Sequence, residues 1–140
     1  MTSQDDKVQR VRSARVKIYK IRDFLRLTET GKIDIGRSKE IVRQLAAAAA
    51  FHLDHNILLD LRETTIKEEN FSDVLEVALE IARYRAAFKG KLANLLPDDE
   101  KRLLFARQLK ALMDMEGFQY EIFTSFEKAV EWLSDITVLT

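Results

Sequence analysis

Short apolar runs alternate with helical patterns along this chain, and that alternation limits the folds open to it. Val16-Lys17-Ile18-Tyr19-Lys20-Ile21-Arg22 alternates with a period of two, and Phe24 to Thr28 follows as a second strand closed by Glu29-Thr30-Gly31-Lys32. Further runs at Asn56 to Leu61, Leu92 to Leu96 and Tyr120 to Phe123 read as strands, each preceded and followed by residues with helical spacing. Consecutive strand–helix units with short connections must cross over right-handedly, so they build a mostly parallel sheet. The predicted order is β-β-α-β-α-β-α-β-α. It describes an α/β fold with a single, mostly parallel sheet of about five strands and four helices. The leading strand is expected to pair antiparallel with the second through a short turn near Asp23.

Local signals bound the helices. Asp34 or Ser38 caps the first, which runs to about Leu53 with Ile41, Leu45, Ala48 and His52 on one face. Its alanines, Ala46 to Ala50, combine high helix propensity with little bulk, which permits a close approach to a sheet. Asn70 or Ser72 starts the second helix and Gly90 stops it. Pro97-Asp98 opens the third, with Asp98, Asp99 and Glu100 in the first turn where carboxylates suit the macrodipole, and Gly117 ends it. Thr124-Ser125-Phe126-Glu127 has the form of a capping box for a last helix through Trp132.

Composition narrows the function classes. The 140 residues suit one domain, read here as residues 15–140 after a loose segment 1–14 without periodicity. Cysteine is absent, which excludes disulfides, thiolate metal sites and thiol nucleophiles. No apolar run reaches the 18 or so residues of a membrane span, and the opening Met-Thr-Ser-Gln-Asp-Asp is too polar for a secretory leader. A bacterial-style cytoplasmic protein is expected. The formal net charge of zero is unevenly spread: residues 1–50 carry 12 basic and 6 acidic side chains, and residues 51–100 carry 6 and 11. The basic excess falls on an alternating strand with no aromatic-rich recognition motif. It reads as a solvated face, and no nucleic-acid partner is expected.

In open α/β sheets ligands gather at the carboxyl ends of the strands. There the segment Asp60-Leu61-Arg62-Glu63-Thr64-Thr65 is richest in polar groups, and Asp60, Arg62, Glu63, Thr64, Thr65 and the later Ser72 form the candidate functional loop. Asp60 and Glu63 have the chemistry of an acid/base pair or a hard-cation site, and the simpler reading is that Arg62 and the carboxylates pair with one another. No glycine-rich phosphate loop or serine elbow occurs. His52 and His55 lie three apart without an obvious third metal ligand and read as core or helix-end histidines. No catalytic residue, cofactor or metal is expected, and the chain reads as a non-enzyme. The second helix is apolar over a wide arc. It is flanked on two sides, or it offers Val74, Val77, Ile81, Tyr84 and Phe88 to a partner, for which a homodimer is one candidate.

With this order of elements the chain resembles the SpoIIAA-like, STAS-type domains, and most of all small bacterial STAS/Sec14-like proteins of unknown function. The likeness spans roughly residues 15–135. It is carried by Phe24-Leu25-Arg26-Leu27-Thr28-Glu29-Thr30-Gly31, by Leu58-Leu59-Asp60-Leu61-Arg62, and by Phe118 to Leu133 with its aromatic strand and Ala129-Val130-Glu131-Trp132-Leu133 helix. The resemblance implies a βα superhelix and a non-catalytic regulatory or protein-interaction module with a protein partner. Its STAS relatives are switched by phosphorylation at a helix start; here Glu69-Asn70-Phe71-Ser72-Asp73 lacks the aspartate before and the glycine after the serine. The alternative is a binder of a small apolar or lipid-like ligand. An apolar pocket between helices and sheet would favour the ligand, and a flat exposed apolar patch would favour the partner.

Overall fold

The computed structural model describes residues 15–67 and 70–139, so the reading of residues 1–14, and of Glu69, lies outside the described residues. The strands are β1 (Val16–Lys20), β2 (Phe24–Ile33), β3 (Asn56–Ile66), β4 (Lys91–Leu95), β5 (Gln119–Phe123) and β6 (Asp135–Leu139). The helices are α1 (Ile35–Ala49), α2 (Phe71–Arg83), α3 (Glu100–Met115) and α4 (Phe126–Leu133), with a 3-10 turn at Arg85–Ala87 after α2. The α/β class and the four helices are as the sequence predicts. The central sheet is parallel throughout, in the order β2-β3-β4-β5.

That order never reverses. Right-handed crossovers that always step in the same direction put every crossover helix on the same face of the sheet. One core accordingly joins α1, α2 and α3 to the sheet through Ile41, Leu45, Ile81, Ala106 and Met113 packed with Ile57, Leu61, Leu92 and Tyr120. Successive ion pairs, Lys39–Glu76 and Arg43–Glu80, advance four residues along both α1 and α2, so these helices run parallel. The opposite face is left to α4, whose Ala129 and Leu133 pack on Leu58, Ala93 and Leu95.

The leading strand departs from expectation. β1 pairs antiparallel with β6, Val16 opposite Leu139 and Lys20 opposite Asp135, in a separate two-stranded sheet, while β2 pairs parallel with β3. Ile21-Arg22-Asp23 contains no glycine or asparagine for a tight hairpin turn, and the β-branched run Ile136-Thr137-Val138 supplies another partner. Lys17 and Tyr19 then reach Glu131 on α4, each at 3.3 Å.

Capping follows the chemistry of the sequence. Asp34, Asn70, Asp99 and Ser125 each accept a hydrogen bond from the backbone N–H three residues on, and Asn70 and Asp73 form a reciprocal capping box. α1 stops at Ala49, leaving Ala48 and His52 exposed; Val42, Ala46 and Ala49 join Ile41 and Leu45 on the buried face. α3 ends in a Schellman motif, with Gly117 at φ +81° and the Phe118 N–H bonded to the Met113 carbonyl at 3.0 Å. Gly90 acts otherwise than as a helix stop, since α2 has already ended at Arg83. A Cβ there would come within 2.9 Å of the Asn56 side chain, which bonds the Lys91 N–H and the Leu133 carbonyl.

Candidate functional site

The segment read as a loop after Asp60 is strand. β3 continues to Ile66 beside Thr30–Ile33 of β2, with a bulge where Leu61 and Arg62 face Glu29 alone. The extra residue shifts the strand's phase, which keeps Thr64 and Ile66 on the helix-covered face after Ile57, Leu59 and Leu61. β4 pairs with β3 only as far as Asp60, so the far half of β3 lacks a ladder on that side. Side chains replace it. The Thr64 hydroxyl donates to the Leu61 carbonyl at 2.6 Å, and the Arg102 guanidinium of α3 donates to the Thr64 carbonyl and hydroxyl at 2.9 and 3.0 Å.

Asp60 points to the opposite face and is 3% exposed. Its carboxylate accepts from the Arg62 N–H, Nε and Nη2 and from the Arg26 Nη2, at 2.8–3.2 Å. Both guanidinium carbons also lie over the Phe126 ring at the start of α4, at 5.0 and 5.7 Å from its centre. The Arg62 hydrogen bonds chiefly hold the Asp60 carboxyl down to about 2, against the upward push of burial. A carboxylate so firmly ionised is a poor proton shuttle near neutral pH. The cluster therefore pairs charges, as the simpler reading held for Asp60 and Arg62 but with Arg26 in the place of Glu63, and it sets both guanidinium groups against Phe126 of α4. Glu63 and Thr65 are exposed, and Ser72 is an exposed residue in the first turn of α2, where Asn70 provides the cap.

The residues expected to face a partner lie inward instead. Val74, Ile81 and Phe88 are buried, and Val77 and Tyr84 pack against the main core. Flanking by α1 and α3 accounts for the inward part of the apolar arc of α2, while Phe71, Leu75 and Leu79 on the same helix stay exposed.

These residues surround a feature the strand-edge reasoning missed. A sheet that winds in one direction has no reversal of strand order, and so no crevice of the kind that such a reversal opens. The space lies within the helix layer. A cavity of about 130 Å³ is lined by Ile41 and Leu45 from α1, Val77 and Ile81 from α2, Phe105 and Leu109 from α3, and Leu59 and Leu92 from the sheet. Four polar residues are part of its lining: Ser38, Asn94, Arg102 and Tyr120. The Asn94 amide donates to the Tyr120 hydroxyl at 2.6 Å, and burial pushes the Tyr120 phenol well above its ordinary range, so it stays neutral. The buried Asn94 carboxamide oxygen has no hydrogen-bond partner among the described residues. Since the Tyr120 hydroxyl both donates and accepts, the amide can turn over, and in either orientation one Asn94 polar atom keeps an unused hydrogen bond.

Among the described residues no group of three or more histidine or acidic side chains is placed to hold a metal. His52 and His55 stack edge to face at 4.8 Å beyond the end of α1. No helix among the described residues is long and apolar enough to cross a membrane. The chain matches no protein-family model, no curated protein and no solved structure.

Proposed function

We propose that this chain is a non-catalytic, STAS-type module that binds a small apolar ligand carrying one hydrogen-bonding group, in the cavity beneath α1, α2 and α3. The observation that carries the reading is a mostly apolar cavity of about 130 Å³ whose few polar lining residues include Asn94, a side chain with one unpartnered polar atom. A buried polar atom left unsatisfied costs about 1–3 kcal/mol, and a ligand that satisfies it recovers that energy. The size matters as much as the chemistry. An apolar protein cavity of about 150 Å³ accepts benzene, so this one suits a single ring or a short branched alkyl group rather than a full acyl chain. Phenol and para-cresol have the matching form, with a hydrocarbon body and one polar tip.

Thermal unfolding with benzene, phenol, para-cresol and long-chain fatty acid tests the proposal. Phenols are expected to raise the Tm more than benzene does, and a ligand at 100 times its Kd adds about 2.7 kcal/mol. Asn94→Leu keeps the volume but removes the polar atom, so the preference for phenol over benzene disappears. Ala106→Leu fills the cavity and removes both responses. A Tm indifferent to every one-ring compound overturns the reading, as does an equal phenol response in wild type and Ala106→Leu.

A further inference from the structure

On the reading that the cavity binds a small ligand, we infer that this ligand is an anion: a one-ring compound with a polar tip at one end and a carboxylate at the other, the carboxylate held by Arg102. Among the described residues that line the cavity, Arg102 alone carries a charge. It is only 7% exposed. Its place is fixed before any ligand arrives, because Nη1 and Nη2 donate to the Thr64 carbonyl and hydroxyl at 2.9 and 3.0 Å.

The polar lining divides between two ends of the helix layer. Asn94 lies beside Leu59, which pairs with Leu27 of β2, and at this level its amide meets the Tyr120 hydroxyl. Thr64, which anchors Arg102, pairs with Gly31. The two levels are separated by the step from Leu27 to Gly31 along β2, roughly 13 Å at about 3.3 Å per residue. Ser38 belongs to the second end: it lies in the first turn of α1, as Arg102 does in α3, and each helix begins just beyond the carboxyl end of a strand. Between the ends the walls are apolar, with Leu59, Leu61, Val77 and Ile81 among them.

A carboxylate inside such walls is little screened by water, so a guanidinium already in the lining attracts it more strongly than one at the surface. The planar fork of arginine also matches a carboxylate in shape. No aspartate or glutamate among the described lining residues opposes the anion. The positive ends of the α1 and α3 macrodipoles lie at the same end and add to the attraction. 4-Hydroxybenzoate is para-cresol with the methyl group replaced by a carboxylate. Its two polar groups stand at opposite ends of the ring, and a hydrogen bond at each end extends its reach.

Calorimetric titration of the protein with 4-hydroxybenzoate, 4-hydroxybenzamide and para-cresol is the test. The amide has the shape of the acid without its charge. The acid is expected to bind at least ~tenfold more tightly than the amide. Arg102→Gln removes the charge and abolishes that preference, and Arg102→Lys keeps the charge and retains it. Where Arg102→Gln does not fold by circular dichroism, the comparison of acid and amide on the wild type decides alone. Equal affinities for acid and amide overturn the inference, as does an acid preference that survives Arg102→Gln. Binding of para-cresol without any preference for the acid overturns the inference and leaves the cavity reading standing, whereas no heat from any of the three overturns both.

Discussion

The Arg102 guanidinium on α3 donates to both the carbonyl and the hydroxyl of Thr64 on β3, where the sheet has run out of neighbouring strand. Through this contact a helix side chain completes a strand edge. Thr64 in turn serves the Leu61 carbonyl beside the bulge, so two strand carbonyls depend on these two residues. Thr64→Val or Arg102→Met is therefore expected to destabilise the protein by about 1–3 kcal/mol in urea unfolding, the cost of leaving a buried polar group unpaired. The double variant should cost clearly less than the two singles added, because the Thr64 hydroxyl and the guanidinium share one network. Strict additivity would show that the contact carries no weight.

Much of this architecture is legible in the residues themselves. The apolar runs at Ile57–Leu61 and Leu92–Leu96, the caps at Asp34 and Asn70, and the stop at Gly117 are local signals, and local energetics decide them. The partner of β1 is not local. Any strand with a free edge satisfies it, and the predicted order stops at the last helix, without the strand Asp135–Leu139 that pairs with β1. The polar residues of the cavity left a trace, for Asn94 interrupts a buried apolar strand and Arg102 falls on the stripe of Ala106, Leu109 and Met113. What periodicity could not supply was the bulge at Leu61 and Arg62. It turns an apparent loop into strand and sends Asp60 and Thr64 to opposite faces.

Asp60 links the fold to pH. Its carboxyl has an ordinary value of 3.8 and is held down to about 2 in the folded chain, by Arg62 first and Arg26 after it. A lowered folded-state value means stability that is present above about 4 and is lost as the pH falls through about 2, to the extent of about 2 kcal/mol. Asp60→Asn should show that deficit at pH 7, and the wild type and variant should converge as the pH approaches 2. Urea unfolding of both proteins across that range measures it. A gap that stays constant down to pH 2 would mean that the ion pairs are not its source.

Single-direction winding leaves one face of the sheet to an eight-residue helix, and two alanines make that cover sufficient. Ala93 on β4 and Ala129 on α4 are both fully buried, so the helix sits as close to the strands as a methyl group allows. Trp132 closes the contact, with its ring 5.7 Å from Phe123 and the Lys91 ammonium 5.3 Å from its centre. Ala129→Leu must push α4 outward, since the sheet beneath cannot yield, at an expected cost of about 1–3 kcal/mol. Trp132 is the only tryptophan in the sequence, so its fluorescence reports this displacement directly. The emission of Ala129→Leu should shift to the red and become more readily quenched by iodide, while the far-UV circular dichroism stays close to that of the wild type. The opposite substitution, Ala129→Gly, frees no such strain and should leave the emission maximum where it is, at a cost near the 1 kcal/mol of a glycine within a helix. If Ala129→Leu leaves Trp132 unmoved, the close approach of α4 is not what seals this face.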